Sequence, residues 1–96
     1  AYAALIAKLE PDVVLFPGDG EDALALIRAL KARKVTAPFV GGDGTETMSS
    51  DADAVGARYV AFFRAERATS KEAMEFLPKY RAKYAQDPDM FAALSY

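Results

Sequence analysis

Apolar residues along this chain fall into two alternating patterns, helical spacing and short continuous runs. Apolar positions over 2–9 have helical spacing, and this helix is predicted to end before Pro11. The run over 12–16, Asp-Val-Val-Leu-Phe, is typical of a buried parallel strand. An apolar stripe over 21–34, with acids in the first turn and bases in the last, predicts the next helix.

The middle of the chain predicts two more strands with a long loop between them. A short strand is expected after Pro38, and the ten residues over 41–50, nearly all of them small or polar, indicate a loop. The aromatic and β-branched run over 59–63 predicts the third strand.

The last third of the chain is predicted to be helical. Thr69 or Ser70 can cap a helix that continues to Tyr84, with a kink or break near Leu77 because Pro78 removes a backbone hydrogen bond. A final short helix is expected to open at the Asp-Pro pair over 87–88.

This order of elements predicts an α/β fold, a small and mainly parallel sheet flanked by helices, in a single domain over 1–96. Three strands make a narrow sheet, whereas the apolar run over 13–16 is typical of the centre of a wider one. We therefore expect strands that this sequence does not supply, or exposed sheet edges through which a homo-oligomer would form.

Composition excludes several classes of function. The 96 residues are 52% hydrophobic with a formal net charge of -2, which indicates a folded chain, and they include no Cys and no His. Disulfides, thiolate nucleophiles, the usual zinc ligands and a histidine base are thereby excluded, so we expect no enzyme and no cofactor. The basic residues cluster only at a helix end, over 31–34, which argues against nucleic acid. The sequence shows no apolar run of membrane-spanning length and no signal peptide at its start.

The tripeptide Gly-Asp-Gly occurs twice, over 18–20 and 42–44, each time after a predicted strand. Loops at the carboxyl ends of parallel strands line the crevice where ligands bind in open α/β sheets. Both loops carry one acid, Asp19 or Asp43, and neither carries a base. The pattern predicts a cleft that favours a cation, most simply an amine.

Two other interpretations of these acids stay open. Asp19, Glu21 and Asp22 would also stabilise a helix start with no ligand present, and a turn such as Gly-Asp-Gly tolerates unusual backbone angles. Asp19, Asp43 and Glu46 could instead hold magnesium in an acid-pocket phosphotransfer domain. A phosphate loop is disfavoured, because the lysine and hydroxyl that it needs are replaced here by two acids.

Four segments together resemble one known family. They are PDVVLFPGDGEDALALIRAL, APFVGGDG, FLPKYRAKYAQDPD and FAALSY. In order and spacing they are similar to part of the second lobe of type I periplasmic binding proteins, the class that binds branched-chain amino acids for ABC transporters. The resemblance covers nearly the whole chain.

The resemblance implies a fragment of a receptor for amino acids or similar zwitterions, whose partners are the first lobe and an ABC permease, in a periplasmic or extracytoplasmic parent protein. It implies that Asp43 receives the ligand ammonium and that Asp19 lies in the loop giving a second contact. The positions that would shape these two loops are Pro17, Gly18, Gly20 and Gly44.

The resemblance also implies what this chain lacks. In the family the hydroxyls and backbone amides that hold the ligand carboxylate belong to the first lobe. Hydrogen bonds to a charged group contribute about 1.5 to 3 kcal/mol each, so we expect weak binding or none by this chain alone. A strand-pairing or strand-swapping assembly module is the alternative function.

Overall fold

The computed structural model describes residues 2–96, and the chain divides into two compact units, one up to Val60 and one from Ala61 to Tyr96. In the first unit two helices, three strands and two 3-10 helices follow one another. Their bounds are α1 Tyr2–Leu9, β1 Val14–Phe16, α2 Gly20–Ala32, β2 Phe39–Gly41, a long 3-10 helix Asp43–Ser50, a short 3-10 helix Ala52–Ala54 and β3 Arg58–Tyr59. The assignment of the whole chain to one partial lobe stays a prediction.

The three strands form one parallel sheet in the order β1-β2-β3. Its register pairs Val14 with Phe39 and Val40 with Arg58. A small parallel sheet flanked by helices confirms the predicted fold class at this level. Strand β1 lies at the edge, however, and not in the centre, so the side chain of Leu15 is 72% exposed.

The core of the first unit lies on one face of this sheet. Val14 and its register partner Phe39 point to the same face, because side chains alternate along a strand. There they join the buried stripe of α2, which is formed by Ala23, Ile27 and Leu30. The opposite face carries Leu15 and its register partner Val40. Leu15 therefore lies on the face away from α2, which explains why an apolar strand leaves it in solvent.

Helix α2 begins as its sequence predicts. The Asp19 side chain is the N-cap and accepts a hydrogen bond from the Asp22 backbone N–H at 2.9 Å. Glu21 and Asp22 occupy the first turn, where acids are favourable with the helix dipole. The predicted range 21–34 is therefore correct to within two residues.

Ion pairs connect the outer face of α2 to the short 3-10 helix and its N-cap. The Arg28 guanidinium donates from Nε to the Asp53 Oδ2 at 2.8 Å and from Nη2 to the Asp51 Oδ2 at 3.0 Å. Lys31 donates to the Asp53 carbonyl oxygen. The hydrogen bond from Arg28 is the main reason that the pKa of Asp53 lies below its ordinary value of 3.8.

This ion pair predicts a pH effect. Because the folded pKa of Asp53 is depressed, the pair stabilises the fold above pH 3.8 and its contribution is lost as the pH falls through the folded pKa. Arg28→Ala should return the pKa of Asp53 toward 3.8, as followed by NMR titration of its carboxyl carbon. Arg33→Ala, a change to another exposed base near the end of the same helix, should leave it depressed. An unchanged Asp53 titration in Arg28→Ala would contradict the pairing.

The second unit is helical. It contains a short 3-10 helix Ala65–Arg67, α3 Lys71–Tyr84 and α4 Met90–Leu94. Ser70 caps α3 by accepting a hydrogen bond from the Ala73 N–H at 3.1 Å, as predicted. Phe76 and Leu77 are buried in this unit, and the ring of Phe76 lies 4.6 Å from that of Tyr96 between centroids.

Three predictions about element bounds need correction. The third strand spans only 58–59, and Val60 and Phe62 are more than half exposed. Helix α3 continues through Pro78 without a break, because Pro78 and Met74 are exposed and water can satisfy the carbonyl that the proline leaves unpaired. A kink near Leu77 stays a prediction.

The last correction concerns α4. It begins at Met90 with Asp89 as its N-cap, whose side chain accepts the Ala92 N–H at 2.8 Å. The cap is therefore two residues later than the predicted Asp87.

Among residues 2–96, no helix is long and apolar enough to cross a lipid bilayer.

Candidate functional site

The two Gly-Asp-Gly loops lie against each other at the carboxyl edge of the sheet. The Gly42 N–H donates to the Phe16 carbonyl at 2.9 Å, which extends the β1-β2 ladder by one bond. A Cβ added at Gly44 would lie 3.2 Å from the Gly18 carbonyl oxygen and 3.8 Å from the Asp19 Cα. The backbones of the two loops are therefore in contact, as parallel strands with adjacent ends require.

The neighbouring backbone leaves little room for a Cβ at two of these glycines. A Cβ at Gly42 would lie 3.2 Å from the Pro17 Cα, so the second loop passes directly over the first. A Cβ at Gly20 would lie 2.0 Å from the Thr47 Oγ1 and 3.1 Å from the Met48 backbone nitrogen. The start of α2 thus packs on the long 3-10 helix at backbone distance, which fixes both loops.

Asp19 is exposed, and part of its hydrogen-bonding capacity is used by the fold. Its Oδ1 accepts the Asp22 N–H as the cap of α2. Its other carboxylate oxygen accepts no hydrogen bond that the structure shows among residues 2–96. Asp19 therefore combines a structural role with an oxygen that remains available to a ligand.

Asp43 is also exposed, and it begins the long 3-10 helix. Its Oδ1 accepts the backbone N–H of the next residue, Gly44, at 3.0 Å. This local bond holds the carboxylate above its own turn and leaves Oδ2 available in the part of the chain that the structure describes. Both predicted acids thus lie on adjoining loops at one edge of the sheet.

The third acid does not complete a metal site. Glu46 is half-buried on the long 3-10 helix. Within residues 2–96, no group of three or more Asp, Glu, His or Cys side chains is placed to hold a metal ion. The structure therefore does not assemble Asp19, Asp43 and Glu46 as the ligand set of the magnesium alternative.

Thr45 supports the second loop and was not identified from the sequence. It is fully buried, and its Oγ1 donates to the Gly42 carbonyl at 2.7 Å. The hydroxyl therefore holds the turn that presents Asp43. Thr45 and Met48 are three residues apart and share one face of the 3-10 helix, but two positions are too few to have identified it from the sequence.

The candidate site is an open edge of the sheet. Three surface hollows of about 360, 410 and 600 Å³ lie elsewhere in the first unit, and neither Asp19 nor Asp43 lines any of them. What the edge offers is exposed carboxylate oxygen on a fixed backbone. That chemistry suits one side of a binding site for a cation.

Comparisons with known proteins returned no match to any family model, to any curated protein or to any solved structure.

Proposed function

We propose that this chain supplies one side of a cleft that binds a small amine-bearing solute, an amino acid or a similar zwitterion, without chemical change. The parent protein would be a two-lobed extracytoplasmic receptor serving an ABC permease. The observation that supports the proposal is the contact between the two Gly-Asp-Gly loops, which places Asp19 and Asp43 on adjoining turns.

The charges favour an ammonium group over an anion. Each acid has one oxygen that accepts a backbone N–H and one that accepts no hydrogen bond within residues 2–96, and neither loop contains a base. An ammonium carries three donors and no acceptor, so it can bridge two carboxylates. A phosphate at the same edge would face two negative charges.

The same geometry limits the affinity of the chain alone. Pairs between exposed charges contribute only about 0.2 to 1 kcal/mol each. Two such contacts fall well short of the roughly 4 kcal/mol that corresponds to a millimolar dissociation constant. Tight binding would therefore require the facing lobe, which would add contacts to the ligand carboxylate and exclude water.

An NMR titration tests this proposal. With leucine added to the 96-residue chain, we expect backbone shifts confined to residues 17–20 and 42–44 and a dissociation constant weaker than about 1 mM. Methylamine should shift the same signals and acetate should not, because the acids select for the ammonium.

Asp43→Asn should abolish those shifts. The matched control is Glu21→Gln, which removes an exposed acid of the first turn of α2 that we assign to the helix dipole. A titration in which Glu21→Gln and Asp43→Asn behave alike would contradict the assigned site. A micromolar dissociation constant would contradict the need for a second lobe.

A further inference from the structure

The two Gly-Asp-Gly tripeptides are identical in sequence, but the fold holds the residue after the acid differently in each. Asp43 and Gly44 are both exposed at the start of the long 3-10 helix. Asp19 is exposed too, whereas Gly20 is buried at the start of α2. In an Asp-Gly pair the backbone nitrogen can attack the preceding side chain readily, because glycine has no Cβ to obstruct the approach. The chain therefore contains one reactive pair in two different environments.

At the second tripeptide the attacking atom lies beside its target. The Gly44 nitrogen is 3.0 Å from the Asp43 Oδ1, an atom bonded to the Cγ that would be attacked. Groups held about 3 to 3.5 Å apart are positioned for reaction. Within residues 2–96 the Gly44 N–H donates to this side-chain oxygen and to no backbone carbonyl. The attack therefore breaks no hydrogen bond of the sheet or of a helix.

At the first tripeptide the fold holds the acid away from the same reaction. The Asp19 Oδ1 accepts the N–H of Asp22, three residues along the chain, as the cap of α2. A Cβ built on Gly20 would lie 2.0 Å from the Thr47 Oγ1, so the backbone here has little room to rotate. Closing a ring onto Gly20 would also remove the cap, and that loss alone corresponds to an about fivefold slower reaction.

We propose that Asp43-Gly44 is a site of spontaneous isoaspartate formation and that Asp19-Gly20 is protected from it. The Gly44 nitrogen loses its proton and bonds to the Asp43 Cγ, while the Cγ–O bond of the protonated carboxyl breaks and that oxygen leaves as water. Water then adds to the main-chain carbonyl carbon of the resulting succinimide. The bond from that carbon to nitrogen breaks, so the chain now continues through Cβ and Cγ. One water leaves and one returns, and no other reactant is needed.

The product changes the candidate site. The main chain of isoaspartate is longer by one methylene, and its free carboxylate is attached directly to the Cα. The hydrogen bond that holds the Asp43 carboxylate above its turn is lost, because the atoms that made it now belong to the main chain. The loss of an amine contact at this position rests on the proposed function, whereas the modification itself does not.

Ageing the 96-residue chain tests the proposal. After several weeks in near-neutral buffer, trypsin releases the two tripeptides in separate peptides, 9–28 and 35–58. A protein isoaspartyl methyltransferase with labelled S-adenosylmethionine then labels each isoaspartate. We expect peptide 35–58 to carry at least about five times the label of peptide 9–28. Equal label in the two peptides, or more label in 9–28, overturns the proposal.

Unfolding the chain separates the effect of structure from that of sequence. In guanidinium chloride the two identical tripeptides lose their different environments, so both peptides should gain label at similar rates. A difference that persists unchanged in the unfolded chain would show that the fold does not cause it and would overturn the proposal. Absence of label from 35–58 in the folded chain, when the unfolded chain gains it, would also overturn it.

Asp43→Glu assigns the residue, because glutamate keeps the carboxylate but would close a larger ring with Gly44, which forms far more slowly. This variant should remove the label from peptide 35–58 and leave that of 9–28 unchanged. Asp51 and Asp53 lie in the same peptide, but each precedes an alanine and each is paired with Arg28. Label that persists in 35–58 of Asp43→Glu would place the reaction at one of these two residues and overturn the assignment.

Discussion

Replacing Gly41 with alanine should lower the free energy of unfolding of the first unit by about 3 kcal/mol. A Cβ at this position would lie 2.0 Å from the Thr45 Oγ1 and under 3 Å from the Thr45 Cβ and Cγ2. Thr45 is fully buried and its hydroxyl bonds to the Gly42 carbonyl, so it cannot rotate away without leaving a buried polar group unpaired.

The change should also disturb the candidate site. Gly41 ends β2, and its carbonyl accepts the Val60 N–H at 3.1 Å. If Thr45 is displaced, the turn that presents Asp43 loses the hydroxyl that holds it. Backbone NMR shifts of 42–44 should therefore change even where Gly41→Ala stays folded.

Urea unfolding measures the energy, with Gly42→Ala as the neighbouring control. A Cβ at Gly42 would meet nothing closer than the Pro17 Cα at 3.2 Å, so its cost should be under about half that of Gly41→Ala. Adding Thr45→Ala to Gly41→Ala removes two of the three clashing atoms and should recover part of the loss. The clash would be contradicted if Gly41→Ala and Gly42→Ala cost the same free energy of unfolding. It would also be contradicted if the costs of Gly41→Ala and Thr45→Ala simply added in the double variant.

Regular elements of this fold were predictable because local patterns and tertiary packing agree. For α2, the acids, the apolar stripe and the terminal bases all give the same bounds, and the cap at Asp19 confirms them. The adjacency of the two Gly-Asp-Gly loops was also predictable, since parallel neighbouring strands must end at one edge.

The segment over 41–50 shows where the pattern failed. Small and polar residues predicted a loop, yet 43–50 is a 3-10 helix in which Thr45 and Met48 are buried. Its buried face is only two residues wide, too few to produce a periodic apolar signal. The burial of Thr45 depends on a hydrogen bond to Gly42 that no composition rule anticipates.

Strand β1 shows a different limit. Its continuous apolar run predicted a central strand, but position in a sheet depends on which strands are available to pair. Here β2 takes the centre and β1 keeps an open edge with Leu15 exposed. An apolar run therefore predicts that a strand forms but not its place in the sheet.

The second large effect is expected at Met48. Its side chain is 1% exposed and belongs to the core cluster that α2 contributes to. Truncation of a buried Met to Ala costs about 2 to 5 kcal/mol, because the cavity left behind collapses only in part. Met48→Ala should therefore destabilise the first unit by at least about 2 kcal/mol, measured as faster hydrogen exchange at the Ile27 and Val40 amides.

Met74→Ala is the matched control, since Met74 is 58% exposed on α3 and alanine is at least as good a helix former. Met74→Ala should change the free energy of unfolding by less than about 0.5 kcal/mol.

The candidate site gives a second readout, because Met48 anchors the 3-10 helix that begins at Asp43. We expect Met48→Ala to weaken the leucine-dependent shifts at 42–44 more than those at 17–20, since the Asp19 cap belongs to α2. Equal exchange rates in Met48→Ala and Met74→Ala would show that the long 3-10 helix is not anchored on α2, and the second loop would then not be fixed against the first.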